Sequence, residues 1–245
     1  MTEPYEDTHT MDASTAFSKE ELAELLIKFN EEDLDMHLHT VGDLASRTVL
    51  DGVELARKEL GDDFHTTVTC CHLEVQDDAD LDRFAELGVV ANYTPWWHSD
   101  IIEDFTPVLG EERASKMYRC KSVWDSGALV TWSSDTTDYT FSTWNPYLGM
   151  EIGMTRWNNE KTTYDGPRSD KPFPPLEERM GIEEMILGYT INGAIQLGIE
   201  DSKGSITVGK DADFLVFGTD LLTAEHEGFS HNIPEAVYFA GRKVK

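Results

Sequence analysis

The chain has 245 residues, of which 40% are hydrophobic and 10% aromatic, and this is enough to bury a substantial core. Its 47 acidic residues against 20 basic ones give a net charge of −27, which repels phosphate groups and argues against nucleic acid or an anionic membrane as a partner. No apolar run approaches the roughly 20 residues of a membrane span, and the N-terminal residues have no leader-like pattern, so we expect a cytoplasmic protein. The adjacent Cys70 and Cys71, with Cys120, do not form a spaced disulfide framework, so we expect reduced thiols.

Strand-like and helical segments alternate along the first half of the chain. Segments typical of strands are a short one ending in His37-Leu38-His39, then residues 64–71, 89–94 and 128–132. Segments typical of helices are residues 19–31, 44–60, 81–87 and 111–126. This alternation predicts an α/β fold with parallel strands joined by helices.

The second half of the chain changes in character. Helices are predicted over residues 146–156 and 182–197, with a polar loop between them of a size usually tied to substrate access. From Gly204 the sequence predicts short strands with tight turns, in residues 205–217 and 236–244, and no intervening helix. We therefore expect two domains, residues 1–200 and residues 201–245.

Three of the strand-like segments end in a residue that can bind a metal ion. These are His39 or His37, then His72, then Asp135. In a βα barrel the carboxyl ends of the strands open onto one face, so such side chains converge although they are distant in sequence. Two imidazoles and a carboxylate suit zinc or a related divalent ion. Each residue alone has an ordinary explanation, since a histidine at a strand end is often structural and Asp135 could cap a helix.

The order of these motifs resembles the YtcJ-like branch of the amidohydrolase superfamily (amidohydrolase family 3), which includes N-substituted formamide deformylases. The resemblance covers nearly the whole chain. The motifs that carry it are His39-Thr-Val-Gly-Asp43, Val49-Leu50-Asp51, His72, Asp82-Arg83-Phe84-Ala-Glu-Leu-Gly88-Val, Ser134-Asp135, Asn145-Pro146, Thr190-Ile-Asn-Gly-Ala194 and Gly204-Ser-Ile-Thr-Val-Gly-Lys-Asp-Ala-Asp213-Phe.

The resemblance implies a role for particular residues. His39, preferred to His37, matches the ligand after barrel strand five, His72 the ligand after strand six, and Asp135 the strand-eight carboxylate that binds metal and accepts a proton from the attacking water. The implied cofactor is a divalent metal, zinc in the first place, with iron and manganese as alternatives.

The resemblance also implies substrate contacts. His98 and Arg156 stand where the family has substrate-facing polar groups, although both could be solvated. Trp97 lies in an aromatic loop that forms either a substrate wall or core packing. The implied reaction is hydrolysis of an amide-type C–N bond in a small molecule, with Asp135 as the general base.

The chain matches only part of the family's barrel. The resemblance implies strands five to eight of a (β/α)8 barrel, followed by strands of a small β-sandwich, and the ligands of barrel strands one and four have no match here. We therefore expect the C-terminal half of a hydrolase, and whether this half is active alone is left open. The alternatives are a non-catalytic or partner-dependent half-barrel module, and a degenerate ligand-binding scaffold. Exposed strand edges favour a homo-oligomer or association with a chain that carries strands one to four.

Overall fold

A computed structural model of the chain describes residues 1–10, 15–99, 105–135, 145–158 and 171–245. They group into two units, residues 1–93 with 103–130 and residues 94–102 with 131–245. The division into domains of residues 1–200 and 201–245 stays a prediction. Among the described helices, none is both long and apolar enough to cross a bilayer.

The first unit alternates strands with helices, as the sequence predicts. Its strands are β1 (Met36–Thr40), β2 (Val68–His72) and β3 (Val90–Tyr93), and β4 (Val130–Trp132) follows β3 in the order of the same sheet. Its helices are α1 (Lys19–Glu31), α2 (Asp43–Leu60), α3 (Arg83–Leu87), α4 (Thr106–Ala114) and α5 (Cys120–Asp125). β1 pairs with β2, and β2 with β3, in parallel. The predicted α/β fold with a parallel sheet is confirmed, whereas the half barrel stays a prediction.

The first two helices pack closely because of a small residue at their contact. Helix α1 begins with a capping box in which Ser18 and Glu21 exchange hydrogen bonds between side chain and backbone. Its inward face carries Leu22 and Leu26, which are almost wholly buried. On α2, a Cβ added at Gly52 would lie 3.0 Å from the Leu22 side chain. A side chain at position 52 would displace Leu22 by a few tenths of an ångström, so Gly52 favours the close approach of the two helices.

A network of charged side chains fixes the segment that follows β2. The carboxylate of Asp80 is almost wholly buried and accepts from Arg47 Nε at 2.8 Å and from Arg83 Nη1 at 2.9 Å. Arg47 also pairs with Asp77 at 2.9 Å, and Arg83 with Asp51 of α2 at 2.8 Å. Buried carboxylates are tolerated only when they are paired in this way. The network therefore links the segment after β2 to α2 and α3.

The second unit consists of helices and one small antiparallel sheet. Its helices are α6 (Pro146–Thr155), α7 (Ile182–Tyr189) and α8 (Ile191–Gln196), and its strands are β5 (Phe214–Val216), β6 (Ala236–Phe239) and β7 (Arg242–Lys243). Strand β6 lies between β5 and β7. The buried carboxylate of Glu151 on α6 accepts the backbone N–H groups of Gly228 at 3.0 Å and Ser230 at 2.9 Å. Residues 214–216, 236–239 and 242–243 form short strands as predicted, whereas residues 205–213 form no strand, and the second layer of a sandwich stays a prediction.

Two predicted helices differ from the structure because each is interrupted. The helix predicted over residues 111–126 is divided into α4 and α5, and Tyr118, which lies between them, has φ of 56°, outside helical geometry. The helix predicted over residues 182–197 is divided at Thr190, with φ of −126° and ψ of −95°. The Thr190 hydroxyl donates to the Ile186 carbonyl at 2.6 Å, a local bond of the kind that bends helices.

Asp80→Asn should destabilise the first unit strongly. The amide keeps the shape of the side chain but removes the charge that neutralises Arg47 and Arg83, so we expect a loss of about 3 kcal/mol in the free energy of unfolding. Urea unfolding followed by circular dichroism measures it. Asp78→Asn is the matched control, because this exposed carboxylate pairs with Lys116 and Arg119 at the surface and its loss should cost less than about 1 kcal/mol. Equal losses in the two variants would contradict the assigned role of Asp80.

Candidate metal centre

The parallel pairing of β1 with β2 brings two candidate ligands to one edge of the sheet. In the register of this pair, His39 lies opposite Cys71 and Thr40 opposite His72. Both strands end at these residues, so their side chains lie at the carboxyl edge, where α/β proteins commonly place their sites. The Thr40 hydroxyl donates to the Cys71 carbonyl at 2.9 Å, which adds a side-chain bond across the strand ends.

His39 and His72 are in direct contact. The Nδ1 atom of His39 and the Nε2 atom of His72 lie 2.7 Å apart, which is a hydrogen-bond distance. The ring centroids lie 4.7 Å apart at an interplanar angle of 41°, so the rings meet through their nitrogens and are not stacked. His39 is exposed and His72 is half-buried. Two imidazole nitrogens so close together need only a small separation to hold one metal ion.

The backbone at the end of β2 is strained. His72 has φ of 74° and Leu73 has φ of 54°, both in the left-handed region that non-glycine residues rarely adopt. Such conformations cost on the order of 1–3 kcal/mol each and cluster at functional sites. Because the left-handed backbone at His72 breaks the alternation of the strand, its imidazole and the Cys71 side chain both reach His39. A ligand nitrogen of each histidine and the Cys71 sulfur all lie within 4.8 Å of one another.

Cys71 is the residue that the sequence reasoning missed. The sequence places it on a buried strand, where alternation directs it away from its neighbour His72. The one available signal was its position directly before a histidine at a strand end. Its neighbour Cys70 is different, because burial raises the pKa of the Cys70 thiol to about 12 and keeps it protonated at neutral pH. None of the three cysteines forms a disulfide, as predicted.

His37 lies two residues before His39 on the same strand. Loss of solvation, followed by the charges of His39 and His72, lowers the pKa of His37 below its usual value. The cluster of ligand atoms contains His39 and not His37. His37 therefore adds a neutral imidazole beside the cluster.

Asp135 belongs to the second unit and follows β4. Its backbone is also left-handed, with φ of 60°, and its side chain is exposed. The indole N–H of Trp97 donates to Asp135 Oδ2 at 3.0 Å. Nearby, Thr94 and Ser133 share a hydrogen bond between their hydroxyls at 3.1 Å. Two hydrogen bonds, from Trp97 to Asp135 and between Thr94 and Ser133, therefore join the residues after β3 to the residues after β4.

The two tryptophans of the aromatic loop differ in their burial. Trp96 is buried in a cluster with Leu148 and Ile152 of α6, and Trp97 packs against that cluster while it remains half-exposed. Trp96 therefore packs in the core of the second unit. The partly exposed indole of Trp97 is the one that lies beside Asp135.

His98 and Arg156 are wholly buried, so neither is a solvated surface residue. Arg156 ends α6 in a left-handed conformation, and its guanidinium donates at 3.0 Å to the carbonyls of Phe173 and Pro174. Burial, and then the charge of Arg156, lowers the pKa of His98 well below its usual value. His98 is therefore neutral at physiological pH. The substrate-contact role of these two residues stays a prediction.

A family model described as the amidohydrolase family matches residues 1–245. The chain belongs to this family. Among its amidohydrolase relatives in curated proteins is YtcJ of Bacillus subtilis, 26% identical over 223 residues. Another is the N-substituted formamide deformylase of Arthrobacter pascens, 27% identical over 205 residues.

The structure is also similar to solved structures. One is a metal-dependent hydrolase of uncharacterised function from Pyrococcus horikoshii, with a TM-score of 0.71 and 21% identity over 92% of this chain. The shared lengths are unequal in every case. The match with YtcJ covers 90% of this amidohydrolase chain but only 39% of YtcJ. The match with the deformylase covers 83% of this chain but only 35% of the deformylase. The match with the hydrolase structure covers 42% of that structure's chain.

Mild acid should destabilise this amidohydrolase through His98. The folded chain holds His98 with a lowered pKa, whereas the unfolded value is about 6.5. Below about pH 6.5 the unfolded chain binds a proton that the folded chain does not, so the free energy of unfolding falls, by up to about 1.4 kcal/mol per pH unit.

Urea unfolding between about pH 7 and pH 5.5 measures this dependence in wild type and in His98→Asn, which lacks the titrating ring. The variant should show the shallower decline, whereas the exposed His226→Asn in the same unit should decline as wild type does. Identical slopes in wild type and His98→Asn would contradict the assignment.

Proposed function

We propose that this chain is part of a metal-dependent hydrolase that cleaves an amide-type C–N bond in a small molecule, using water activated by a divalent metal ion. The single observation that carries the proposal is the contact of His39 Nδ1 with His72 Nε2 at 2.7 Å. The strained backbone at His72 supports it, because such strain persists where it serves a site. Family membership supplies the class of chemistry.

The donor set fits a divalent metal ion. Neutral imidazole nitrogens are among the commonest ligands of zinc, and they also suit iron and manganese. Among the described histidines, His39 and His72 offer nitrogens at the same edge of the sheet, and His39 is exposed enough for an ion to enter. In the proposal these two residues hold the ion. When bound, it lowers the pKa of water and polarises a carbonyl group.

In the proposal Asp135 moves the proton. Its carboxylate accepts a proton from the attacking water and returns it to the leaving nitrogen as the C–N bond breaks. Trp97 donates to Oδ2 of Asp135 and so restricts the rotation of the carboxylate. That Asp135 works with His39 and His72, and is a third ligand, rests on the order of the motifs and on the family resemblance.

The three proposed substrate residues then have different tasks. Trp97 is half-exposed and can contact the substrate with its ring. Arg156 donates to the carbonyls of Phe173 and Pro174, so it fixes the backbone at these two residues. His98 follows Trp97 and is neutral, so it adds no charge behind the aromatic loop.

Metal content tests the proposed ligands. The chain purified without added metal should contain close to one zinc, iron or manganese ion per molecule, measured by plasma mass spectrometry. His39→Ala and His72→Ala should each lose most of it, because each removes a ligand. His65→Ala is the matched control, an exposed histidine of the same unit that hydrogen-bonds to Asp33 instead. A metal content that is unchanged in both ligand variants would overturn the proposal.

Hydrolysis tests the reaction class. The metal-loaded chain, assayed with a panel of N-substituted formamides and other small amides for release of amine, should show turnover. Asp135→Asn should lower that turnover at least about 100-fold, because the amide cannot accept the proton. Metal binding without turnover of any substrate in the panel would remove the catalytic part of the proposal and favour the second function below.

A second candidate function is that of a partner-dependent module which pairs with a chain carrying the rest of a barrel. The observation that favours it is that the chain spans only 39% of the length of YtcJ, while large apolar side chains are exposed on the C-terminal segment. Exposure reaches 89% at Ile206, 68% at Ile233 and 63% at Phe239. Self-association should then appear in light scattering coupled to size exclusion, and a stable monomer would count against this function.

A further inference from the structure

A third metal-ligating atom lies beside the two histidines. The Cys71 sulfur belongs to the group of ligand atoms that lie within 4.8 Å of one another, together with nitrogens of His39 and His72. All three residues come from β1 and β2, which are neighbours in the parallel sheet. The cluster therefore lies entirely within the first unit.

We propose that Cys71 supplies a thiolate ligand, so that His39, Cys71 and His72 form a two-nitrogen, one-sulfur site for zinc or cobalt(II). The inference rests on the proposed function only in that the same two histidines hold the ion. It goes further in adding a ligand and in selecting the metal, because a thiolate favours zinc and cobalt and disfavours manganese, which prefers oxygen ligands.

The backbone explains why two consecutive residues can bind one ion. On a regular strand, successive side chains point to opposite faces, so Cys71 and His72 could not share a ligand site. The left-handed conformation of His72, with φ of 74°, removes that restriction. The register with β1 places Cys71 opposite His39, which brings the third donor to the same point. The left-handed backbone at His72 therefore lets the consecutive residues Cys71 and His72 bind the same ion.

The two nitrogens would move apart by only a small amount, whereas the Cys71 sulfur, within 4.8 Å of both, would have to move closer, to about 3.6 Å from each. Two nitrogens bound to one tetrahedral zinc ion, each at about 2.0–2.1 Å, lie about 3.3 Å apart. His39 Nδ1 and His72 Nε2, now hydrogen-bonded at 2.7 Å, would separate by a few tenths of an ångström. The hydrogen between them would move to another ring nitrogen of its own imidazole, and the thiol proton of Cys71 would pass to solvent.

These three ligands leave the fourth position of a tetrahedral ion for Asp135, the further ligand of the proposed function, and zinc can accept water as a fifth ligand. His39 is exposed and His72 is half-buried, whereas Cys71 is only 7% exposed. Because the three ligands belong to one unit, the site does not need Asp135 in order to bind metal.

Cobalt(II) is a direct probe of the thiolate. The chain, stripped with a chelator and titrated with cobalt(II), should show a near-ultraviolet thiolate-to-cobalt charge-transfer band that saturates at one ion per chain. Cys71→Ala should abolish the band and weaken zinc binding at least about tenfold in competition with a chromophoric chelator. Cys120→Ala is the matched control, because Cys120 is another buried thiol of the same unit, and it should keep the band. Asp135→Asn should keep it as well.

X-ray absorption at the zinc edge tests the wild type without any variant and should show one sulfur at about 2.3 Å. Zinc bound without sulfur, and lost in His72→Ala, would overturn the inference while the proposed function stands. The same is true of a charge-transfer band that survives in Cys71→Ala. Failure of the wild type to bind cobalt or zinc at all would overturn both.

Discussion

The candidate centre depends on one constraint, the parallel register between β1 and β2. That register pairs His39 with Cys71 and Thr40 with His72, and a slip by one residue would reverse the faces to which these side chains point. Strand β2 is buried on both faces through Cys71, as strands of parallel sheets usually are. Only its last residue, His72, reaches toward solvent, and this is the residue whose backbone departs from strand geometry.

The surrounding structure compensates for the strain at the end of β2. After the left-handed residues His72 and Leu73, the chain returns to hydrogen bonding with the segment after β1. Leu73 N–H donates to the Thr40 carbonyl at 3.2 Å, and Val75 N–H to the Val41 carbonyl at 3.1 Å. The arginine pairs of Asp80 then hold the following residues against α2. A strained conformation persists when its neighbours leave the chain no alternative, and these bonds act in that way.

The contacts in the second unit differ in kind from those in the first. In the second unit, the polar groups with candidate roles make contacts with neutral partners, such as the indole N–H of Trp97 to Asp135 and the carbonyls of Phe173 and Pro174 to Arg156. The first unit relies instead on paired charges around Asp80. Family membership indicates the class of chemistry for the chain that contains both units. The substrate depends on loops, and these differ among members of one fold.

The sequence by itself determined the class of fold, the family and the positions of His39, His72 and Asp135 at strand ends. Hydrophobic periodicity and ordered motifs are local properties, and they survive without knowledge of the tertiary structure. Tertiary structure alone decided that the His39 and His72 nitrogens meet at 2.7 Å, that Cys71 joins them, and that His98 and Arg156 are buried. The physical reason is that strand register and a left-handed residue are fixed by packing between distant segments, which no local pattern specifies.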